Sequence, residues 1–323
     1  MVFCRKKIAI APKIIYNTVS FAPHSTFPSM QLLDGRKLAD AMLEKAKGEV
    51  QQLHAQGIQP KLAVILVGED PASMTYVNQK EKASKKTGVI FERLNFKPSI
   101  STAELIATIE DLNQRDDIHG ILVQLPLPAH IETPLVIRAI QPKKDVDGFH
   151  AYNIGKMALS AAFETLVPAT PKGVIKMLEH YNIPIEGKDV VVVGQSNLVG
   201  KPMSLMFLNR NATVTTCHKF TKDLKSHTLR ADILVVAVGK AGLITADMVK
   251  PGAVVVDVGI NRVNGKLVGD VDFEAVKEKA SFITPVPGGC GPMTVACLID
   301  NVLAATHGAK RSALFSLPRI PLA

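Results

Sequence analysis

Five short, near-continuous apolar runs decide what this chain can become: KLAVILVG (61–68), DVVVVG (189–194), ATVTTCH (212–218), ADILVVAVG (231–239) and AVVVDVG (253–259). A strand without a polar face must be buried on both sides, as in a parallel sheet covered by helices. Helical spacing fills the intervals. Residues 34–54 (DGRKLADAMLEKAKGEVQQLH) place Leu38, Met42, Leu43, Ala46, Val50 and Leu53 on one side. A second helix, 72–87, opens at Asp70-Pro71, a good start signal. Further helices are expected at 102–116, 134–140, 170–182 and 292–307, and further strands at VIFERLNF (89–96) and HGILVQLPLP (119–128). The alternation predicts an α/β protein with two α/β domains, the C-terminal one Rossmann-like.

The formal net charge of +9 over 323 residues suggests an acidic partner until it is located. Residues 1–29 carry Arg5, Lys6, Lys7 and Lys13, residues 309–323 carry Lys310, Arg311 and Arg319, and neither segment holds an acid. The basicity belongs to the ends. With four tyrosines, no tryptophan and no basic–aromatic interleaving, a nucleic-acid partner is not expected. No apolar stretch is long enough to span a bilayer. Cys4, Cys217, Cys290 and Cys297 lack metal-ligand or CxxC spacing and read as reduced thiols of a cytoplasmic protein.

VVVVGQSNLVGKP (190–202) has the outline of a dinucleotide-binding turn. Gly194 permits a tight turn, Gly200 lets helix and strand approach, and Ser196 can cap the helix start, where free N–H groups attract phosphate. Any strand–turn–helix unit using Gly and Ser would look the same. The next strand sharpens the reading. An NAD site places an acid about 20 residues on; here TTCHKF (215–220) offers His218 and Lys219 instead, which suits the 2′-phosphate of NADP. A solvated loop lysine is the blander account.

SMTYVNQKEKA (73–83) sets Tyr76 and Lys80 at i and i+4 on one helix face. A lysine buried beside a tyrosine can have its pKa lowered into the proton-transfer range, although most helix lysines are simply solvated. The pair precedes the nucleotide turn, which argues against the short-chain dehydrogenases. Gln124 lies before Pro126 at a strand-end crevice. Asp145 and Asp147 in KKDVDGF resemble the start of a calcium loop, but the glycine falls at the wrong place and Lys156 stands where Glu is required, so no metal is expected. A carboxylate there suits an amidine-like ring edge. The Gly/Pro-rich ITPVPGGCGPMT (283–294) can present N–H groups to a cofactor or substrate.

Together these segments resemble the bifunctional methylenetetrahydrofolate dehydrogenase/methenyltetrahydrofolate cyclohydrolase family, in the short form without a synthetase domain. YVNQK, GILVQLPLP, KDVDGF, PATPKG, VVVGQSNLVGKP, ADILVVAVGK, VVVDVGIN, VGDV and TPVPGGCGPMT occur in the family's order from Met30 to about His307. The resemblance implies that 5,10-methylenetetrahydrofolate gives a hydride to NADP⁺ and that the methenyl product is hydrolysed to 10-formyltetrahydrofolate. Carried over by position, Lys80 transfers protons in hydrolysis, Tyr76 packs on the folate, Gln124 tunes Lys80 and Asp147 holds the pterin edge. Leu125, Pro287, Gly288 and Gly289 would line the folate site. Gly194, Gln195 and Ser196 would meet the cofactor phosphates, with Ile260 near the nicotinamide and Lys219 at the 2′-phosphate. Three departures stand out: Gln195 where many members carry Arg, Lys219 where many carry Ser, and Cys290 where valine is usual. A thiol there implies some sensitivity to thiol reagents.

The expected organisation is an extension, 1–29, outside the fold; a folate-binding domain, 30–150, completed by helix 292–308 packing back on it; an NADP-binding domain, 151–291; and a flexible tail, 309–323. The resemblance also implies a homodimer. An NADP-dependent dehydrogenase on another small substrate and a non-catalytic nucleotide-binding protein are the competing readings. The extension has part of the composition of an organellar transit peptide, but the simpler expectation is that Met30 begins a folded, cytoplasmic protein.

Overall fold

Residues 30–314 are described by the computed structural model; the extension 1–29 and residues 315–323 lie outside the described residues. The chain runs β1 (Gln31–Leu32), α1 (Gly35–Ala55), β2 (Lys61–Val67), α2 (Pro71–Thr87), β3 (Ile90–Phe96), α3 (Thr102–Gln114), β4 (Gly120–Val123) and α4 (Thr133–Ala139). Strands β3, β2 and β4 form a parallel three-stranded sheet in that order. Local chemistry sets the helix ends. Asp70 accepts a hydrogen bond from the Ser73 N–H at 2.8 Å with Pro71 in the first turn, and Gly88, at φ +87°, ends α2 in a left-handed cap. Ser101 and Glu104 open α3 with a capping box.

The second unit follows as α5 (Ala151–Leu159), α6 (Ala169–His180), β5 (Asp189–Val193), α7 (Gly200–Leu208), β6 (Thr213–Cys217), α8 (Leu224–Thr228), β7 (Ile233–Val236), β8 (Val254–Asp257), β9 (Asn261–Val263), β10 (Lys266–Val268), α9 (Phe273–Val276), β11 (Phe282–Ile283) and α10 (Cys290–Leu314). Its six-stranded parallel sheet has the order β1-β11-β8-β7-β5-β6, and β9 and β10 form a separate antiparallel hairpin. The order reverses direction between β5 and β7, the switch point at which α/β sheets bind ligands.

Three expectations need correction. The strand expected over 119–128 stops at Val123, because Pro126 and Pro128 cannot donate to a ladder, and Gln124 and Leu125 begin a loop. Strand β6 is not covered on both faces: it is the sheet edge, with Thr213 and Thr216 exposed. The last helix begins earlier and continues past 308 to Leu314, its C-terminal part tied to α1 by His307 with Glu49 at 2.7 Å and Lys310 with Gln56 at 2.6 Å. Strands β1 and β11 are only two residues long, too short to carry a period, and were not anticipated. Helix α10 packs against α1 and α2 of the first unit and also α6 of the second, burying Leu298, Ile299, Val302 and Leu303. One helix therefore covers parts of both units.

Candidate active site

The loop after β4 and helix α2 meet at the carboxyl end of the first sheet. Lys80 Nζ donates to Gln124 Oε1 at 3.0 Å, while Gln124 Nε2 donates to the Leu125 carbonyl at 2.7 Å, which fixes the amide's orientation toward the lysine. Leu125 itself is half-buried. Burial pushes the Lys80 ammonium below its ordinary range, and Asp147 opposes this electrostatically. Burial also raises Asp147 to about 6, against the pull of Lys80. A lysine and a carboxylate thus face each other with both charges weakened by desolvation.

The tandem acids divide their labour. Asp145 is 1 % exposed and accepts from the Gly148, Phe149 and His150 N–H groups and from Asn153 Nδ2. Saturated in this way, it shapes the loop and leaves Asp147 as the carboxylate facing Lys80. Lys144 is equally structural: its ammonium donates to the carbonyls of Leu112, Asn113 and Arg115 at the end of α3.

Tyr76 sits one turn before Lys80, is 38 % exposed, and has its hydroxyl pKa raised by burial. It lines a cleft of about 850 Å³ together with Gln79, Ile260 and Pro287–Gly289. Lys80, Gln124 and Asp147 are not on that cleft's wall; they form a polar cluster one turn of α2 further on from Tyr76. The cleft runs between α1, α2 and the loops after β8 and β11. The Arg36 N–H donates to the Gly288 carbonyl at 2.8 Å across it, and a Cβ on Gly35 would stand 2.0 Å from the Gly289 carbonyl oxygen, so the two walls touch. Cys290 lines the cleft but is buried, and burial pushes its thiol up. A buried protonated thiol is unreactive, which argues against the expected sensitivity to thiol reagents.

At the switch point, Gly194 ends β5 with φ +129°, and a Cβ there would lie 2.3 Å from the Ala237 carbonyl oxygen at the end of β7. A Cβ on Gly200 would lie 2.0 Å from the Gly194 carbonyl oxygen. Both glycines are therefore dictated by close backbone approach. Ser196 Oγ accepts from the N–H groups of Val199 and Gly200 at 3.1 and 3.4 Å, so the turn is held in shape with Gln195, Ser196 and Asn197 exposed at its crest. Lys219 and Phe220 stand exposed on the turn after the neighbouring β6, the Lys219 ammonium 4.9 Å from the Phe220 ring centroid. The turn is suited to a dinucleotide's phosphates, with a cation beside the adjacent strand.

Two functional-wall residues escaped sequence reasoning. Asp270 accepts from the Val238, Gly239 and Lys240 N–H groups and from Asn261 Nδ2. Asp257 accepts from the N–H groups of Gly259, Asp270 and Val271. They knit the loops after β7 and β8, leaving Ile260, 43 % exposed, on the cleft wall within reach of Gly291. The signal was present in VVVDVGIN and VGDV, since an acid flanked by glycine at a strand end often organises backbone N–H groups. Among the described residues no cluster of three or more His, Cys, Asp or Glu could hold a metal ion, and no helix is long and apolar enough to cross a membrane.

A dinucleotide-type turn at the switch point of one sheet, and a lysine–glutamine–aspartate cluster at the carboxyl end of the other, define a two-domain nucleotide-dependent enzyme of α/β architecture. The chain belongs to the tetrahydrofolate dehydrogenase/cyclohydrolase family: residues 33–147 match that family's catalytic domain and residues 168–310 its NAD(P)-binding domain. It is 59% identical to the bifunctional protein FolD of Sulfurihydrogenibium sp. (strain YO3AOP1), over 85% of this chain and 96% of that protein. It is 55% identical to that of Francisella philomiragia, over 87% and 100%. The crystal structure of the Campylobacter jejuni bifunctional enzyme FolD is similar at a TM-score of 0.85 and 50% identity, covering 87% of this chain and 99% of that one. The Trypanosoma brucei enzyme, solved with NADP cofactor and inhibitor, is similar at 0.84 and 35% identity, covering 88% and 99%.

Because burial raises Asp147 to about 6, its carboxylate gains a proton as pH falls through that value. Affinity for a non-reacting folate is expected to weaken below pH 6 and to hold above it. Asp147→Asn should bind weakly at every pH and lose the step; titration calorimetry across pH 5–8 checks both.

Proposed function

We propose that this enzyme oxidises 5,10-methylenetetrahydrofolate with NADP⁺ and hydrolyses the resulting 5,10-methenyltetrahydrofolate to 10-formyltetrahydrofolate, with Lys80 as the proton-transfer residue. The observation that carries the reading is the 3.0 Å contact between Lys80 and Gln124, at a place where burial disfavours the ammonium. In this reading Tyr76 packs on the folate, Leu125 and Pro287–Gly289 line its site, and Asp147 accepts hydrogen bonds from the pterin edge. Gly194, Gln195 and Ser196 would hold the nucleotide's phosphates and Ile260 would stand near its nicotinamide, and the bound nucleotide would supply a hydride acceptor.

Loss of hydride leaves the one-carbon bridge as a methenyl cation, which is its own electrophile, so hydrolysis needs neither a protein nucleophile nor a Lewis acid. Water adds to that carbon. Its proton passes to Lys80, whose ammonium form burial disfavours, and the carbon–nitrogen bond on the ring side breaks as that nitrogen is protonated and the added hydroxyl gives up its proton to become the formyl carbonyl. Gln124 holds Lys80 at the reacting carbon, and positioning of this kind supplies much of the rate.

Family membership and the presence of both the cleft and the turn favour this reading over a dehydrogenase for another small substrate or a non-catalytic nucleotide-binding protein. The folate-binding unit is taken as 30–150 with α10, and the nucleotide-binding unit as 151–291, except that β1 pairs with β11 at the edge of the nucleotide-binding unit's sheet. Three buried cysteines without disulfides, Cys217, Cys290 and Cys297, support a reducing, cytoplasmic setting. Exposed Val263 and Leu267 on the β9–β10 hairpin support a homodimer through the nucleotide-binding unit; a monomer mass by light scattering would overturn that.

Lys80→Met is expected to abolish hydrolysis of the methenyl form while NADP⁺ binding stays intact. Retained hydrolysis, followed by loss of methenyl absorbance, refutes the role of Lys80. Lys219, in place of the arginine missing at Gln195, is assigned part of the 2′-phosphate contact. Lys219→Ala should then reduce the preference for NADP⁺ over NAD⁺ by about ten-fold or more, the size of a charge-assisted hydrogen bond; an unchanged kcat/KM ratio rules this out.

A further inference from the structure

Asp147 lies on a connection that runs from β4 toward the second unit, and this connection crosses a later one, residues 166–168, before α6. The crossing is tight. Gly148 has φ +72°, and a Cβ there would lie 2.5 Å from the Val167 carbonyl carbon and 2.7 Å from the Pro168 nitrogen. One side chain from a third element closes it. Asn301 on α10 is fully buried, and its Nδ2 donates to the Val146 carbonyl and to the Val167 carbonyl, both at 2.8 Å. Its Oδ1 accepts from Lys172 Nζ at 2.7 Å, and Lys172 also pairs with Asp300 at 2.7 Å. With two carbonyls on one side and an ammonium on the other, the amide has a single satisfactory orientation.

Val146 is the residue immediately before Asp147, and its side chain is buried against Gly120 at the start of β4. From these contacts we infer that Asn301 is a positioning residue for the folate-anchoring carboxylate. By tying the Val146 carbonyl to Val167 and to α10, it sets where Asp147 stands relative to Lys80. Helix α10 also supplies the cleft wall at Cys290, Gly291 and Pro292, so the same amide keeps that wall in register with the carboxylate. Both carbonyls are buried and would lose their donor if the amide were removed, and an unsatisfied carbonyl is relieved by moving the backbone. The backbone that would move is the one carrying Asp147. The inference rests on the reading of Asp147 as the folate anchor.

The test uses the full-length enzyme. Asn301→Asp replaces only Nδ2 and keeps the shape and the bond from Lys172. It is expected to raise KM for methylenetetrahydrofolate roughly ten-fold, as misplacement of a positioning group does, while KM for NADP⁺ stays within about two-fold of the parent. Leu303→Ala, a buried truncation on the same helix, supplies the comparison: it lowers Tm and leaves the folate KM alone. A folate KM unchanged in folded Asn301→Asp overturns the inference, as does a rise in both KM values together. Should Asn301→Asp fail to fold, Lys172→Met decides. It frees the amide from its fixed orientation but leaves both donors, and about a three-fold, folate-selective rise in KM is expected; no rise overturns the inference. Asp147→Ala separates the two readings: if it leaves the folate KM unchanged, the anchoring role and the inference fall together, whereas a raised KM there with a normal Asn301→Asp removes only the inference.

Discussion

Covering two parallel sheets with one shared helix is the constraint on which this structure depends. Near-continuous apolar strands have no face that tolerates water, and α10 packs on α1, α2 and α6 at once. Full burial of side chains such as Leu298, Ile299 and Val302 contributes on the order of 1.5–3 kcal/mol each. It also makes the relation between the two units a matter of core packing. The cleft between them inherits its shape from that packing, since α10 enters through Cys290–Pro292 on the cleft wall.

The chemistry of the lysine–aspartate cluster follows from desolvation. Lys80 and Asp147 have ordinary side chains for their types, yet burial lowers one and raises the other, so both can exchange protons nearer neutrality. Their neighbours are held by saturation of hydrogen bonds: Asp145 organises the loop beside them, and Asp257 and Asp270 organise the opposite wall. Carboxylates capped by backbone N–H groups build the walls, and the less satisfied one, Asp147, is left beside Lys80.

Much of this was legible in the chain. Helix α2 was readable from its Asp70-Pro71 start, and it brings Tyr76 and Lys80 to the first unit's carboxyl edge. Gly194 and Gly200 were assigned by the turn pattern, and the clashes a Cβ would make at each supply the reason. Strand β6 was misjudged because apolar content does not say whether a strand is central or at the edge. The role of Asn301 was invisible, since its carbonyl partners lie 134 and 155 residues away and nothing periodic connects them, whereas Asp257 and Asp270 left only a local trace in the glycines beside them.

By itself, the sequence determined the alternation of strands and helices, the backbone freedom at Gly194 and Gly200, and the residue types available for proton transfer and phosphate binding. These are local properties, written in period, turn chemistry and composition. Tertiary structure decided which lysine lost its water, which of two neighbouring aspartates was used up by backbone N–H groups, and how the two walls of the cleft meet. Those outcomes depend on burial and on contacts between segments far apart in the chain, and only the folded packing supplies them.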